Sequence, residues 1–209
     1  GEPLLNFEAV SSAINLFQDD CAFGLSKRKV TLSTAGLVPG IMRMKETLDC
    51  SLAISLHAPT DALRNVLVPV NRKYPIKALL AAAGEYIESK QSLRKLIIEY
   101  TLIEGVNDSP QDAAQLADLL KSVKCKINLI PFNTFGGSDY KSPKDQCVKA
   151  FQRRLVAAGH RVMIRSTRGS DIMAACGQLA ELSQKDANES IECESDEQRE
   201  VALTFRETA

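Results

Sequence analysis

Val30-Thr31-Leu32-Ser33-Thr34-Ala35-Gly36 and Ser51-Leu52-Ala53-Ile54-Ser55-Leu56-His57-Ala58-Pro59 are the stretches whose reading decides the fold. Each is an apolar, β-branched run that closes on small polar residues and a turn former, the pattern of a strand leaving for a loop. A helix over Val38 to Thr47 separates them. Upstream, Phe7 to Asp20 places Val10, Ala13, Ile14 and Phe17 at a helical period. Downstream, Thr60 to Asn65 predicts a short helix, Ile76 to Ser89 a longer one, and Leu96 to Leu102 the next strand. Ser109 followed by Pro110 is an N-cap with proline in the first turn, opening a helix that runs to about Ser122. Lys126 to Phe132 predicts a strand, Asp145 to Ala158 an amphipathic helix, Arg161 to Ser166 a strand and Asp171 to Leu182 a helix. Apolar strands alternating with helices predict an α/β protein with a parallel sheet, open or curled into a barrel.

The chain of 209 residues, 44% hydrophobic, is long enough to bury a sizeable core. No apolar run approaches the roughly 20 residues that span a bilayer, and the N-terminus lacks a signal-peptide pattern, so a cytoplasmic protein without a membrane partner is expected. The six cysteines, at 21, 50, 125, 147, 176 and 193, contain no C-x-x-C pair, which argues against a zinc knuckle or a small disulfide framework. The net charge of zero hides an asymmetry: residues 1 to 185 hold 24 Lys and Arg against 18 Asp and Glu, while 186 to 200 hold seven acids and one arginine. Residues 183 to 209 therefore read as an acidic, disordered tail, and 1 to 182 as the folded part. Basic clusters such as Lys27-Arg28-Lys29 and Arg161 to Arg168 suit phosphate contacts, although such runs are more often solvated faces. Gly1 to Asn6 reads as the loop leaving a strand that precedes the chain.

In parallel α/β folds chemistry collects at the carboxyl ends of the strands. Here those ends carry Gly1-Glu2, Ser33-Thr34, Ser55 with His57, Glu99 with Thr101, and Asn133 beyond Pro131-Phe132. Small hydroxyls, one imidazole and one amide around a common mouth suit an adenosine- or amino-acid-like ligand. Ordinary explanations compete: Ser33 and Ser55 bonding the backbone, Asn133 capping a helix, His57 a satisfied core residue, and Glu99 pairing with an arginine across the barrel. Cys176 stands in Ala174-Ala175-Cys176-Gly177-Gln178, where the small neighbours leave its thiol open to a reaction partner; a small core cysteine is the bland alternative.

With these residues in place, the chain resembles the radical-SAM adenosine methyltransferases of 23S ribosomal RNA and transfer RNA, the RlmN family, over nearly all of residues 1 to 182. The resemblance is carried by Gly1-Glu2-Pro3-Leu4-Leu5-Asn6, Gly24-Leu25-Ser26-Lys27-Arg28, Val30 to Thr34, Leu52 to Pro59, Cys125 to Pro131 and Ala174 to Leu179. It implies a partial (β/α) barrel of the radical-SAM type, truncated at its N-terminal strands, and methylation of adenine carbon 2 in 23S rRNA and tRNA. It implies S-adenosylmethionine contacts at Gly1, Glu2, Ser33, Ser55, Leu56, His57 and Asn133. Cys176 matches the cysteine that accepts a methyl group from one S-adenosylmethionine. A second, cleaved at a 4Fe-4S cluster fed by a reductant protein, then generates the radical that sends that carbon to the base. The cluster-binding cysteines and the resolving cysteine lie upstream of Gly1 in such proteins, so no metal ligand is expected in this chain, and the chain alone is expected to be inactive. Ser170, Met173 and Thr134 stand where the family commonly has Asp, Asp and Pro. The rivals are a sister enzyme acting on carbon 8, a non-catalytic RNA- or S-adenosylmethionine-binding module, and a barrel hydrolase or isomerase using His57 as base, for which the sequence offers no carboxylate partner.

Overall fold

A computed structural model describes residues 1–90, 96–134 and 137–165. Five strands, β1 (Thr31–Thr34), β2 (Ser51–Ser55), β3 (Leu96–Leu102), β4 (Cys125–Pro131) and β5 (Arg161–Ile164), form one sheet in the order β1-β2-β3-β4-β5. Every neighbouring pair is parallel. Between them run α2 (Val38–Thr47), α3 (Asp61–Leu67), α4 (Ile76–Ser89), α5 (Pro110–Leu119) and α6 (Asp145–Ala157), with α1 (Phe7–Gln18) ahead of β1. Sequential parallel neighbours wind the sheet in one direction, and residues of α2, α4, α5 and α6 share one buried cluster with its strands, as in a (β/α) barrel.

The strand side chains divide accordingly. Leu32, Ile54, Ile98, Tyr100, Ile127 and Leu129 are buried in one apolar cluster with Ile41 and Met44 of α2, Leu79 and Tyr86 of α4, Leu116 of α5 and Phe151 of α6. At roughly 25 cal/mol per Å² of apolar surface, burial of this face is the main source of stability. The alternate positions include Thr31, Ser33, Ser55, Glu99, Thr101, Lys126 and Asn128, none of them buried, beside the apolar Ala53, Ile97 and Ile130. A strand covered on both faces would be apolar throughout at both parities, so this mainly polar parity marks the face available to chemistry.

The expected elements are present, with small shifts. Gly1 to Asn6 is more than a loop, because Pro3–Asn6 forms a 3-10 turn that runs into α1, with Glu2 accepting from the Leu4 amide at 3.1 Å as its cap. The second strand ends at Ser55 rather than His57, since His57 turns to a φ of 59° and the chain leaves the ladder there. Ser109 caps α5 in a reciprocal capping box with Asp112. Asn133 caps no helix, because α6 begins at Asp145. The expected helix over Asp171 to Leu182 and the acidic tail lie outside the described residues.

Candidate functional site

Because all five strands are parallel, their carboxyl ends share one end of the sheet. Ser55 registers with Glu99, and Glu99 with Asn128, on the open face. Glu99 is the centre of this row: Ser33 Oγ donates to its Oε2 at 2.8 Å, and Ser55 Oγ lies 3.5 Å from the same oxygen. The arginine partner considered for Glu99 is thus replaced by two hydroxyls from β1 and β2.

His57 follows β2 in a left-handed conformation that is uncommon for a residue with a Cβ. Two contacts hold it there. Its Nδ1 accepts from the Thr101 amide at 3.0 Å, and its carbonyl accepts from Asn107 Nδ2 at 2.8 Å. An accepting Nδ1 requires the proton on Nε2, so the neutral ring offers a fixed N–H donor. Burial, helped by the nearby Arg64 cation, pushes the imidazole pKa down from 6.5 to about 4. A folded value below the unfolded one means that neutral His57 contributes stability present in full above about pH 6.5 and lost as pH falls towards 4. In a proton NMR titration the His57 ring signal is expected to hold its neutral position down to about pH 5; a midpoint near 6.5 contradicts the geometry.

Two positioning residues escaped the sequence reading. Asn107 is fully buried and ties the ends of β2 and β3 together. Besides the His57 carbonyl, its Nδ2 donates to the Thr101 carbonyl at 2.7 Å, and its Oδ1 accepts from the Ile103 amide at 2.7 Å. Arg64 on α3 is 0% exposed. Its guanidinium donates to the carbonyls of Leu56 at 3.0 Å, Ser55 at 3.0 Å and Ala35 at 2.5 Å, and to Asn71 Oδ1 at 2.9 Å. Asn71 in turn donates to Asp61 Oδ1 and Asn65 Oδ1, both at 2.8 Å. Burial lowers the guanidinium to about 10, against the opposing pull of Asp61, so Arg64 remains a cation at neutral pH. One buried side chain thereby sets the spacing of the carboxyl ends of β1 and β2.

The remaining expected residues fall into three groups. Glu2 lies beside β1, where its carboxylate accepts from Thr34 Oγ1 and the Ala35 amide, both at 2.7 Å, so it fixes the β1 exit and holds exposed Gly1 beside that strand end. Asn133 follows the carboxyl end of β4 and is partly exposed. Leu56 is different: its side chain is fully buried, its amide donates to the Glu99 carbonyl at 2.9 Å and its carbonyl receives Arg64. It links the site residues without presenting a group to the open face. Cys176 lies outside the described residues.

On the open face Ser33, Ser55 and Glu99 offer oxygens and His57 offers a ring N–H, the kinds of group that the polar edges of S-adenosylmethionine can pair with. An iron–sulfur cluster is another matter. Among the described residues Cys50 and Cys125 are buried, Cys21 and Cys147 are exposed, and no three His, Cys, Asp or Glu side chains come together as a metal site. Among the same residues no helix is long and apolar enough to cross a membrane.

A sheet wound in this order, with polar strand ends opposite its helices, has the fold of a radical SAM methyltransferase. It superposes on such an enzyme from Sphaerobacter thermophilus with a TM-score of 0.80 and 41% identity, covering 85% of this chain and 52% of that one. A domain of pyruvate-formate lyase-activating enzyme from Bacteroides vulgatus shares the fold alone, at a TM-score of 0.56 and 20% identity. In sequence the chain is homologous to the dual-specificity RNA methyltransferases RlmN of Marinobacter nauticus, 58% identical over 179 residues, and of Marinomonas sp., 56% identical over 179 residues. These matches cover 86% of this chain, which spans about half the length of those relatives, 48% in each case. No family model matches the chain.

Proposed function

We propose that this chain serves a radical S-adenosylmethionine RNA methyltransferase of the cytoplasm, acting on carbon 2 of adenine in 23S rRNA and tRNA, with a reductant protein as partner. The observation that carries this reading is the 58% identity over 179 residues to an enzyme named as a dual-specificity RNA methyltransferase. In this reading Ser33, Ser55, His57 and Asn133 hold S-adenosylmethionine at the open carboxyl ends, with Gly1 and Glu2 at its amino-acid end. S-adenosylmethionine supplies an activated methyl group there. Ser33 and Ser55 present oxygens oriented by Glu99, and His57 presents its Nε2–H at a position fixed by Thr101 and Asn107. Leu56 acts through its backbone, which holds Ser55 and His57 in register.

Cys176 is the methyl acceptor in this reading. Its thiolate takes the methyl carbon from sulfur, and S-adenosylhomocysteine leaves as a neutral thioether. The part of the described residues in this reading is binding and positioning. The reading is tested by nucleoside analysis of rRNA and tRNA from cells lacking the gene. Loss of 2-methyladenosine, restored by the intact gene, is the expected result; loss of 8-methyladenosine, or no change in methylated adenosines, overturns it.

A further inference from the structure

We propose that Glu99 determines the hydrogen-bonding polarity of the site, taking the hydroxyl protons of Ser33 and Ser55 so that both serines meet the ligand as acceptors. This rests on the reading that the open carboxyl ends bind S-adenosylmethionine. A serine hydroxyl has one proton and two lone pairs. An ionised carboxylate only accepts, so a hydroxyl bonded to it must donate, and its lone pairs are what remain for a ligand. Ser33 Oγ stands 2.8 Å from Glu99 Oε2, within the range of a charge-assisted bond, and Ser55 Oγ stands 3.5 Å from the same atom as a weaker second donor. The three side chains come from β1, β2 and β3 on the open face, Ser55 being the register partner of Glu99. No cation competes for the carboxylate among the ion pairs of the described residues, which join Lys27 with Asp49, Arg43 with Glu8 and Lys45 with Glu85.

The site therefore selects ligand groups that donate: the ammonium of the amino-acid end or the O–H and N–H groups of the adenosine. His57, with its Nε2–H, is the complementary donor for an acceptor atom of the same ligand. A ligand offering only acceptors to the two serines meets lone pair against lone pair.

The test is a double-mutant cycle on the purified gene product that carries this chain, read by calorimetry with S-adenosylhomocysteine and with 5′-methylthioadenosine, which keeps the adenosine but lacks the ammonium. Glu99→Gln is expected to weaken S-adenosylhomocysteine about tenfold and Ser33→Ala about fivefold. The double variant is expected to lose about tenfold, well short of the product of the two, because the residues act as one unit. An equal loss for methylthioadenosine assigns the donors to the adenosine, and a loss confined to S-adenosylhomocysteine assigns them to the ammonium; either supports the proposal. Losses that multiply in the double variant, or a Glu99→Gln variant that binds both ligands as tightly as the parent, overturn it. No binding by the parent protein overturns the S-adenosylmethionine reading together with the inference. Unchanged circular dichroism and melting temperature separate a binding loss from misfolding, which is not expected on a partly solvated face.

Discussion

Replacing Arg64 by alanine is expected to destabilise the protein by about 3–5 kcal/mol, the largest effect of any single substitution outside the apolar core. The reason is the number of acceptors left behind. Three backbone carbonyls and the Asn71 side-chain oxygen receive this guanidinium in a place without exposure. A buried acceptor that loses its partner costs roughly 1–3 kcal/mol, partly relieved where the space left by the side chain admits water. Lysine at this position supplies a compact charge rather than a planar fork, so it cannot reach carbonyls on two strands together with Asn71, and it recovers only part of the loss. Urea denaturation followed by circular dichroism measures both variants. A change below about 1 kcal/mol for Arg64→Ala contradicts the account of the buried cation.

Arg64 also shows where the sequence stops being informative. The strands were legible because apolar, β-branched runs ending in glycine, proline or small polar residues follow from local physics, and the capping box of Ser109 and Asp112 is a local device too. Partnerships with backbone carbonyls leave no such trace, since any residue type at the far end supplies the same oxygen. Asn107 meets the His57 carbonyl across 50 residues of chain, and Arg64 meets the Ala35 carbonyl across 29. Nothing in either local pattern marks these two residues.

Glu99 is the intermediate case. Its position at a strand end was readable, but the choice between an arginine and two serines depended on β1 and β2 lying side by side with β3 next in the sheet. Leu56 marks the limit of reading a strand end as a block of contacts. Its neighbours Ser55 and His57 are half-buried, while its own side chain is sent into the core. His57 combined the two competing readings, being a satisfied histidine at Nδ1 and a fixed donor at Nε2.

The second large effect concerns Cys176. In the gene product that carries this chain, Cys176→Ala is expected to abolish RNA methylation, a loss of at least about 10⁴-fold if the thiolate is the obligatory acceptor of the methyl group. Serine is expected to fail equally, because its hydroxyl remains protonated at neutral pH and is a far weaker nucleophile towards a sulfonium methyl group. Alanine at Cys50, which is buried in the apolar cluster, has the opposite signature: a cost in stability with the chemistry retained. Melting temperatures and nucleoside analysis of the same preparations separate the two behaviours.

The most direct test of the Cys176 assignment is peptide mass spectrometry of the protein after incubation with S-adenosylmethionine carrying a deuterated methyl group. A single deuterated methyl on the peptide that contains Cys176, absent from the Cys176→Ala variant, is the predicted result. The label on any other cysteine, or deuterated methyladenosine produced by the alanine variant, contradicts the account.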